Sequence, residues 1–546
     1  MSIHIDDHRI SKLLLRLSEA ARADRRSTWK YIDYGENRSK VSLERHVVVF
    51  GRRGSGKTSL LNEVGTNGKQ ASEVIWIDAD QYKKLTFPDT LIEIFRQSIL
   101  EFSRIIQRRF PYYNPLRMGG WRSRWSTLKK LKKFQGAFSE LLEGFDSGDL
   151  VREKERQSTG SKSAGVVAKG ASFQLSKNTA SRLTETSSGA TLKIQSIDRK
   201  FQDFRNALVD GLNLISVPVF FVMDDFYHLR ISDQADVLDY LAKLFKNTRC
   251  YLKFATISHR TCLFKSGSTI DGLQLGHDVH DVNLDRSFKN FDAVDRFLTD
   301  FWESLCKTVG IEQDFFSIFG GDSWQQLELA SGGVPRDFMN TFVKAVEVGR
   351  SKDKDKLSVA LVNEGANLYC RETKYVDLQN DSPDETSVLE ALLKDLVQFC
   401  VEVKKKNLFL VSISDLEAHD KLDEAMKQLC DFRFLHEVHE NMSSASKPRE
   451  RFRAYLLDVG VYAYPARRGE NRVVEVPIWE KDVSRRSDML RTSPIYAFQK
   501  DYEPATSVDE LFARRDDSLP DSREPASTPP RDSDGDAPSQ GDFFNS

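Results

Sequence analysis

The stretch His46-Val47-Val48-Val49-Phe50, running into Gly51-Arg52-Arg53-Gly54-Ser55-Gly56-Lys57-Thr58, decides the fold. Its first half is a run of apolar, β-favouring residues and reads as a strand buried on both faces. Its second half fits G-x-x-x-x-G-K-[ST], the phosphate-binding loop. The glycines let the backbone curl until successive N–H groups converge on one centre, which suits β- and γ-phosphate oxygens. Lys57 adds a mobile point charge, and the Thr58 hydroxyl is placed to ligate Mg²⁺. Ser59 opens a helix, Ser59-Leu60-Leu61-Asn62-Glu63-Val64, whose N-terminus faces the bound anion. The binding residues are therefore Gly51, Arg52, Arg53, Gly54, Ser55, Gly56, Lys57, Thr58 and Ser59. A glycine-rich turn without nucleotide is the bland alternative, and the flanking strand and helix argue against it.

At 546 residues the chain is too long for one core, so two or three domains are expected. The formal charge of −1 provides no global attraction for nucleic acid, so any basic surface must be local. Six cysteines, at 250, 262, 306, 370, 400 and 430, include no C-x-x-C pair. That argues against a structural zinc site or a disulfide framework and fits a reducing cytosol. The first residues, Met1-Ser2-Ile3-His4-Ile5-Asp6-Asp7, carry acids where a signal peptide needs bases. The longest apolar run, Val217 to Met223, is strand-sized. A cytoplasmic protein with no membrane partner is expected.

Val217-Pro218-Val219-Phe220-Phe221-Val222-Met223-Asp224-Asp225 is the second strong signal, an apolar strand ending in two acids. Asp224 would complete the Mg²⁺ site opposite Thr58, and Asp225 would polarise the attacking water. Glu73 to Asp78, Arg249 to Ile257 and His280 to Leu284 supply further core strands. Thr256, Ser258 and His259 are candidates for a polar group that reads the γ-phosphate, with Ser258 first among them. Residues 263 to 277 read as a loop.

Around this core, apolar residues at helical spacing mark a helix over 9–24 and another from Pro88 towards Ile106. Between 104 and 133 basic residues (Arg117, Arg122, Arg124, Lys129, Lys130, Lys132, Lys133) alternate with Phe110, Tyr112, Tyr113, Trp121 and Trp125. Such a mixture suits a phosphate backbone and exposed bases; the plainer reading, an amphipathic helix whose aromatics sit in the core and whose lysines are solvated, is the preferred one. Residues 157 to 191 lose large apolar side chains and read as a flexible insertion. Helical periodicity resumes over 194–214 and again beyond 290, interrupted by Gly333-Val334-Pro335-Arg336. From about 385 the order helix, strand, helix, two-stranded ribbon is that of a winged helix. The last stretch, 516–546, holds eight acids against two arginines and reads as disordered.

With Gly51 to Thr58, Asp224-Asp225, the polar strand end near Ser258 and Gly333-Val334-Pro335-Arg336 in this order, the chain resembles an AAA+ ATPase. It is most similar to origin-recognition-complex-like initiators and the related STAND signalling ATPases, over roughly residues 25 to 350. The resemblance implies a P-loop NTPase α/β fold, a parallel sheet sandwiched by helices, with a helical lid and a C-terminal winged-helix-like domain. The implied domains are an N-terminal helical segment (1–44), the ATPase core with its insertion (45–288), the lid (289–380), the winged-helix-like domain (385–510) and the acidic tail (516–546). By that resemblance ATP and Mg²⁺ are the ligands, and Arg336 is the lid arginine that touches the γ-phosphate. The family's usual Asp-Glu pair is Asp224-Asp225 here, and the shorter second carboxylate suggests slow turnover. For the arginine a neighbouring subunit would supply, Arg260 and Arg286 are the candidates.

Two functions follow. One is a slow ATPase switch acting on or with DNA through the winged helix and the 104–133 stretch. The other is a STAND-like signalling ATPase that changes oligomeric state with nucleotide, acts through a protein partner and ignores DNA. Asp415, Glu417, Asp420, Asp423 and Glu424, in the region of the recognition helix, would repel phosphates and weigh against the first. A small-molecule kinase has no need of a lid and a C-terminal domain. His277-x-x-His280 and His436-x-x-His439 have ligand-like spacing but lack cysteine or carboxylate companions.

Overall fold

The structure, a computed structural model, describes residues 3–20, 31–33, 35–64, 72–109, 118–143, 174–215, 217–266, 270–286, 288–381, 386–463 and 483–497. Strands β1 (Val47–Phe50), β2 (Glu73–Asp78), β3 (Val219–Asp224) and β4 (Cys250–Thr256) are followed by a short ribbon, β5 (Phe264–Ser266) and β6 (Ile270–Gly272), and by β7 (His280–Asn283). Five of them form one parallel sheet in the order β2-β3-β4-β1-β7. This is the P-loop NTPase sheet that the sequence predicts. Its register sets Asp78 beside Asp224, and Phe50 beside Thr256 and Asn283. The loops that leave the carboxyl ends of the strands therefore share one edge, where an open α/β sheet binds its ligand.

Alternate strand residues face opposite layers. Val48, Phe221 and Met223 belong to one apolar cluster; Val47, Val49, Phe220 and Val222 belong to another. Of the helices, α1 (His8–Ala20) packs on the lid, and α2 (Lys57–Asn62) covers the second face. The first face is covered by α3 (Asp89–Arg109), α4 (Met118–Glu143), α5 (Gln174–Ile215) and α6 (Ile231–Phe245). Phe95, Phe138 and Phe204 lock α3, α4 and α5 together, with ring centroids 5.2 to 5.7 Å apart.

Two sequence expectations change here. Residues 157–173 of the flexible insertion lie outside the described residues, but 174–191 are helical, as the first half of α5. That span has two leucines, Leu175 and Leu183, as its large apolar residues, and eight of its eighteen residues are Ser or Thr, but no proline interrupts it and the backbone stays helical. The loop over 263–277 holds the antiparallel ribbon β5–β6.

The lid consists of α7 (Phe291–Thr308), α8 (Ser323–Ser331), α9 (Pro335–Ser351) and α10 (Val359–Tyr369). Asn290 caps α7 by accepting from the Ala293 N–H at 3.2 Å, and Pro335 occupies the first position of α9. Trp302 lies at its centre, 4.8 Å from the Phe342 ring. Ile5, Ile10, Leu13 and Leu17 of the N-terminal segment are buried in the same cluster.

The C-terminal domain runs α11 (Tyr375–Asp381), α12 (Thr386–Val397), β8 (Leu408–Ser412), α13 (Ile413–Ala418), α14 (Asp420–Asp431), β9 (Leu435–Met442) and β10 (Phe452–Leu457). It ends with α15 (Val483–Arg491) and β11 (Ile495–Tyr496). The sheet order is β11-β8-β10-β9, with β10 antiparallel to both its neighbours. Helix, strand, helices and hairpin follow in the expected order. The acidic tail lies outside the described residues.

Candidate active site

The P-loop turns between β1 and α2 through Gly54 (φ 80°) and Gly56 (φ 95°), both in the left-handed region that favours glycine. A Cβ on Gly54 would stand 2.7 Å from the Cβ of Arg336, so the loop needs glycine there to admit the lid. The Arg336 N–H approaches the Gly54 carbonyl at 3.4 Å. Lys57 is buried, and its Nζ donates to the carbonyls of Gly51 and Arg52 at 2.8 and 3.0 Å. Burial pulls its ammonium below the usual lysine range, against the pull of Asp225.

A cavity of about 510 Å³ opens over this loop, lined by Arg53, Gly54, Ser55, Gly56, Lys57, Thr58 and Ser59. Asp225 and Arg336 line it too. Asp224 lies behind, buried, and accepts a hydrogen bond from the Thr58 hydroxyl. Burial first, and then the charge of Asp225, push the Asp224 carboxyl up to about 7. A buried carboxyl paired with a hydroxyl, short of positive charge, is an oxygen donor set that suits Mg²⁺. Asp225 has a left-handed backbone (φ 51°) that turns it out of the strand direction, and its N–H donates to Asp224 Oδ1 at 3.0 Å. Lys57, Thr58, Asp225 and Arg336, drawn from distant parts of the chain, thus meet around one space.

Other expected residues go elsewhere. Ser258 is exposed and outside the cavity lining. Thr256 is buried with its Oγ1 2.5 Å from Thr261 Oγ1, and His259 Nε2 stands 2.7 Å from Asp431 Oδ2. The Arg52 side chain leaves the loop, donating to the carbonyls of Arg286 and Gly332 at 2.8 and 3.2 Å. Arg286 lines its own chain's cavity, 3.6 Å over the Phe297 ring, and Arg260 lies 5.9 Å from the Tyr227 ring centre. His277 pairs with Asp278, His280 meets Arg45, and His436 is buried against Asp458.

The cavity also has walls that the sequence reading missed. Tyr31, Ile32, Phe297, Phe301 and Met339 form an apolar end that fits a planar base. Each reads as an ordinary core residue in its own segment, and they come together only when the N-terminal segment and the lid close over the P-loop. Asp78 and Asp80 from the end of β2, and His228 beyond β3, line the phosphate side, with His228 Nε2 3.6 Å from Asp80 Oδ1.

The C-terminal domain seals the loop from the far side. Arg433, fully buried, donates through Nη1 to the Arg53 carbonyl at 3.0 Å and pairs with Asp337 of α9 at 3.2 Å. Lys374 Nζ stands 3.0 Å from both Asp337 and Asp458. Asp458 in turn meets His436 at 2.8 Å, whose other nitrogen faces Arg52 Nη1 at 3.4 Å. One buried chain of charges runs from P-loop to lid to C-terminal sheet.

No protein-family model matches the chain, and no curated protein is similar to it. Solved structures show partial likeness. The ORC2 protein of Aeropyrum pernix in its ADPNP–ADP complexes is 10% identical, over 80% of this chain and 94% of that one, with a TM-score of 0.35. A Walker-type ATPase of Pyrococcus abyssi is 14% identical over 79% and 95%, with a TM-score of 0.36. The CDC6P protein of Pyrobaculum aerophilum is 11% identical over 81% and 93%, with a TM-score of 0.32. At such scores the fold rests on the strand order and the P-loop geometry. Among the described residues no helix is long and apolar enough to cross a membrane.

Proposed function

We propose that the chain is an ATP-binding, slowly hydrolysing molecular switch of the AAA+ type that acts on or with DNA. The observation that carries this reading is the meeting of Lys57, Thr58, Asp225 and Arg336 at one cavity, with Asp224 behind Thr58. The base rests among Tyr31, Ile32 and Met339. The P-loop N–H groups and Lys57 hold the phosphates, and Arg336 reports the γ-phosphate to the lid. Thr58 and Asp224 hold Mg²⁺, which when bound neutralises phosphate charge. Asp225 orients the attacking water and takes its proton.

The DNA part of the reading draws support from a groove between α3 and α4, of about 540 Å³, lined by Arg104, Trp125, Lys129 and Lys132. Trp125 is 58% exposed, with Lys129 Nζ 5.1 Å over its ring. An exposed indole beside cations suits stacking and phosphate contact.

The second reading, a signalling ATPase that works through a protein partner, is favoured by the C-terminal domain's position. The end of α14 faces the ATPase core, since Asp431 meets His259 and Phe432 packs under Arg53 at 5.5 Å. A helix so placed is not free to enter a groove of DNA. Turnover of Mg-ATP with and without duplex, with the protein's mass in ATP and in ADP, separates the two. DNA stimulation that fades with salt supports the first; turnover indifferent to DNA, with a nucleotide-dependent mass, supports the second.

A further inference from the structure

Arg53 is the third residue of the P-loop, where the binding reading above uses its backbone N–H and leaves the role of its side chain open. Arg53 lines the cavity, as Tyr227 does, and its guanidinium Cζ lies 5.8 Å from the centre of the Tyr227 ring. Lys57 Nζ stands at the same 5.8 Å from that ring. Tyr227 follows Asp225 by two residues and lines the same cavity, so both cations gather by a ring close in sequence to the acid that would direct water. Burial pulls the His228 imidazole below its usual range, against the carboxylates of Asp225 and Asp80 and with the charge of Arg53. Of the other cavity arginines, Arg286 covers Phe297 at the base end, and Arg336 comes down on Gly54 from the lid, where the reading above gives it the task of reporting the γ-phosphate.

Two further contacts hold Arg53 in this place. Its carbonyl is fixed by Arg433 Nη1 at 3.0 Å, and its guanidinium lies 5.5 Å from the ring of Phe432. Both partners belong to the C-terminal domain. A long side chain gripped on its backbone and on its head group is preorganised rather than free to sweep the solvent.

We infer that Arg53 is a catalytic arginine supplied in cis, which places its charge on the γ-phosphate as hydrolysis proceeds. Each chain then carries a complete site, held in aim by its own C-terminal domain. This inference rests on the ATPase reading above. In the step concerned, the water oxygen forms a bond to the γ-phosphorus while the bond to the β–γ bridging oxygen breaks. The electron pair stays on the β-phosphate of ADP, and the water proton passes to Asp225 and then to the released phosphate. Charge shifts towards the bridging and γ-oxygens, where a guanidinium offers forked donors that an ammonium cannot match.

The test is steady-state hydrolysis by the full chain and its Arg53→Ala, Arg53→Gln and Arg53→Lys variants, with ATP and ADP affinities measured alongside. The inference expects kcat to fall on the order of 10²–10³-fold in all three variants. ATP and ADP affinities should change by no more than about threefold, and the variants should fail to trap ADP with aluminium fluoride. Wild-type turnover per chain should stay constant on dilution, which needs no variant to check. Variants with wild-type kcat would overturn the inference, as would specific activity that rises with protein concentration, because a neighbour would then supply the arginine. A wild-type chain with no Mg-dependent turnover would overturn the ATPase reading, and this inference with it.

Discussion

Arg433 Nη1 donates to the main-chain carbonyl of Arg53 at 3.0 Å, so a residue of the C-terminal domain holds the middle of the phosphate-binding loop. The same guanidinium pairs with Asp337 at the start of the lid helix α9, two residues after Pro335. Loop, lid and C-terminal sheet are therefore joined at a single buried cation. On the proposed switch reading, a shift of the lid would act on the seating of the C-terminal domain through this residue.

Arg433→Ala leaves Asp337 buried with only Lys374 and the Tyr369 hydroxyl. Breaking a buried pair in this way costs roughly 3–5 kcal/mol. Urea unfolding followed by circular dichroism should show a lowered midpoint for the variant, beginning with loss of the C-terminal domain. A midpoint unchanged from wild type would show that the ion chain contributes no net stability.

Glu328 of α8 is 1% exposed, and burial first, then the charge of Asp295, push its carboxyl up to about 9. A folded value above the unfolded one means that the native state binds the extra proton. Stability should therefore fall as pH rises from about 4.5 towards about 9, the window between the two values. Glu328→Gln should remove that slope and be more stable than wild type at pH 8, by on the order of 1–3 kcal/mol. Parallel pH–stability curves for the two proteins would count against this account.

Lys57→Ala should abolish ATP binding or turnover, because the P-loop loses the one ammonium that its own carbonyls hold in place. Fluorescence titration with a labelled nucleotide, in Mg²⁺, is the direct check. Retention of wild-type affinity and rate by the variant would remove the lysine from the site.

Replacing Arg104, Lys129 and Lys132 together with Ala should weaken duplex binding and flatten its salt dependence by up to about three phosphate contacts. Nucleotide binding should be untouched, since none of the three lines that cavity. An unchanged salt slope would move any DNA contact away from the α3–α4 groove.

The P-loop, the Asp224-Asp225 strand end and the parallel sheet were legible because each is written in contiguous residues with a fixed spacing, whereas Arg336, which lines the cavity, was reached only through the family resemblance. The apolar end of the cavity was not legible. Tyr31, Phe297 and Met339 share no local pattern, and their common task exists only once the lid has closed. Ser258 illustrates the opposite failure. It follows a core strand at the expected distance, yet the short turn after β4 leaves it facing solvent while Thr256 stays buried. Residues 174–191 misled through composition, since a stretch rich in Ser and Thr is still helical when no proline interrupts it. The buried chain from Arg52 to Lys374 had no signal at all, because charged residues at those spacings read as ordinary surface.

The measurement that bears most directly on the central claim is Mg-dependent ATP hydrolysis by wild type and Asp225→Asn, with ATP affinity determined for both. The account predicts slow turnover by wild type, and in the variant affinity near wild type with turnover reduced by roughly 10²-fold or more. Equal turnover by the two proteins would contradict it.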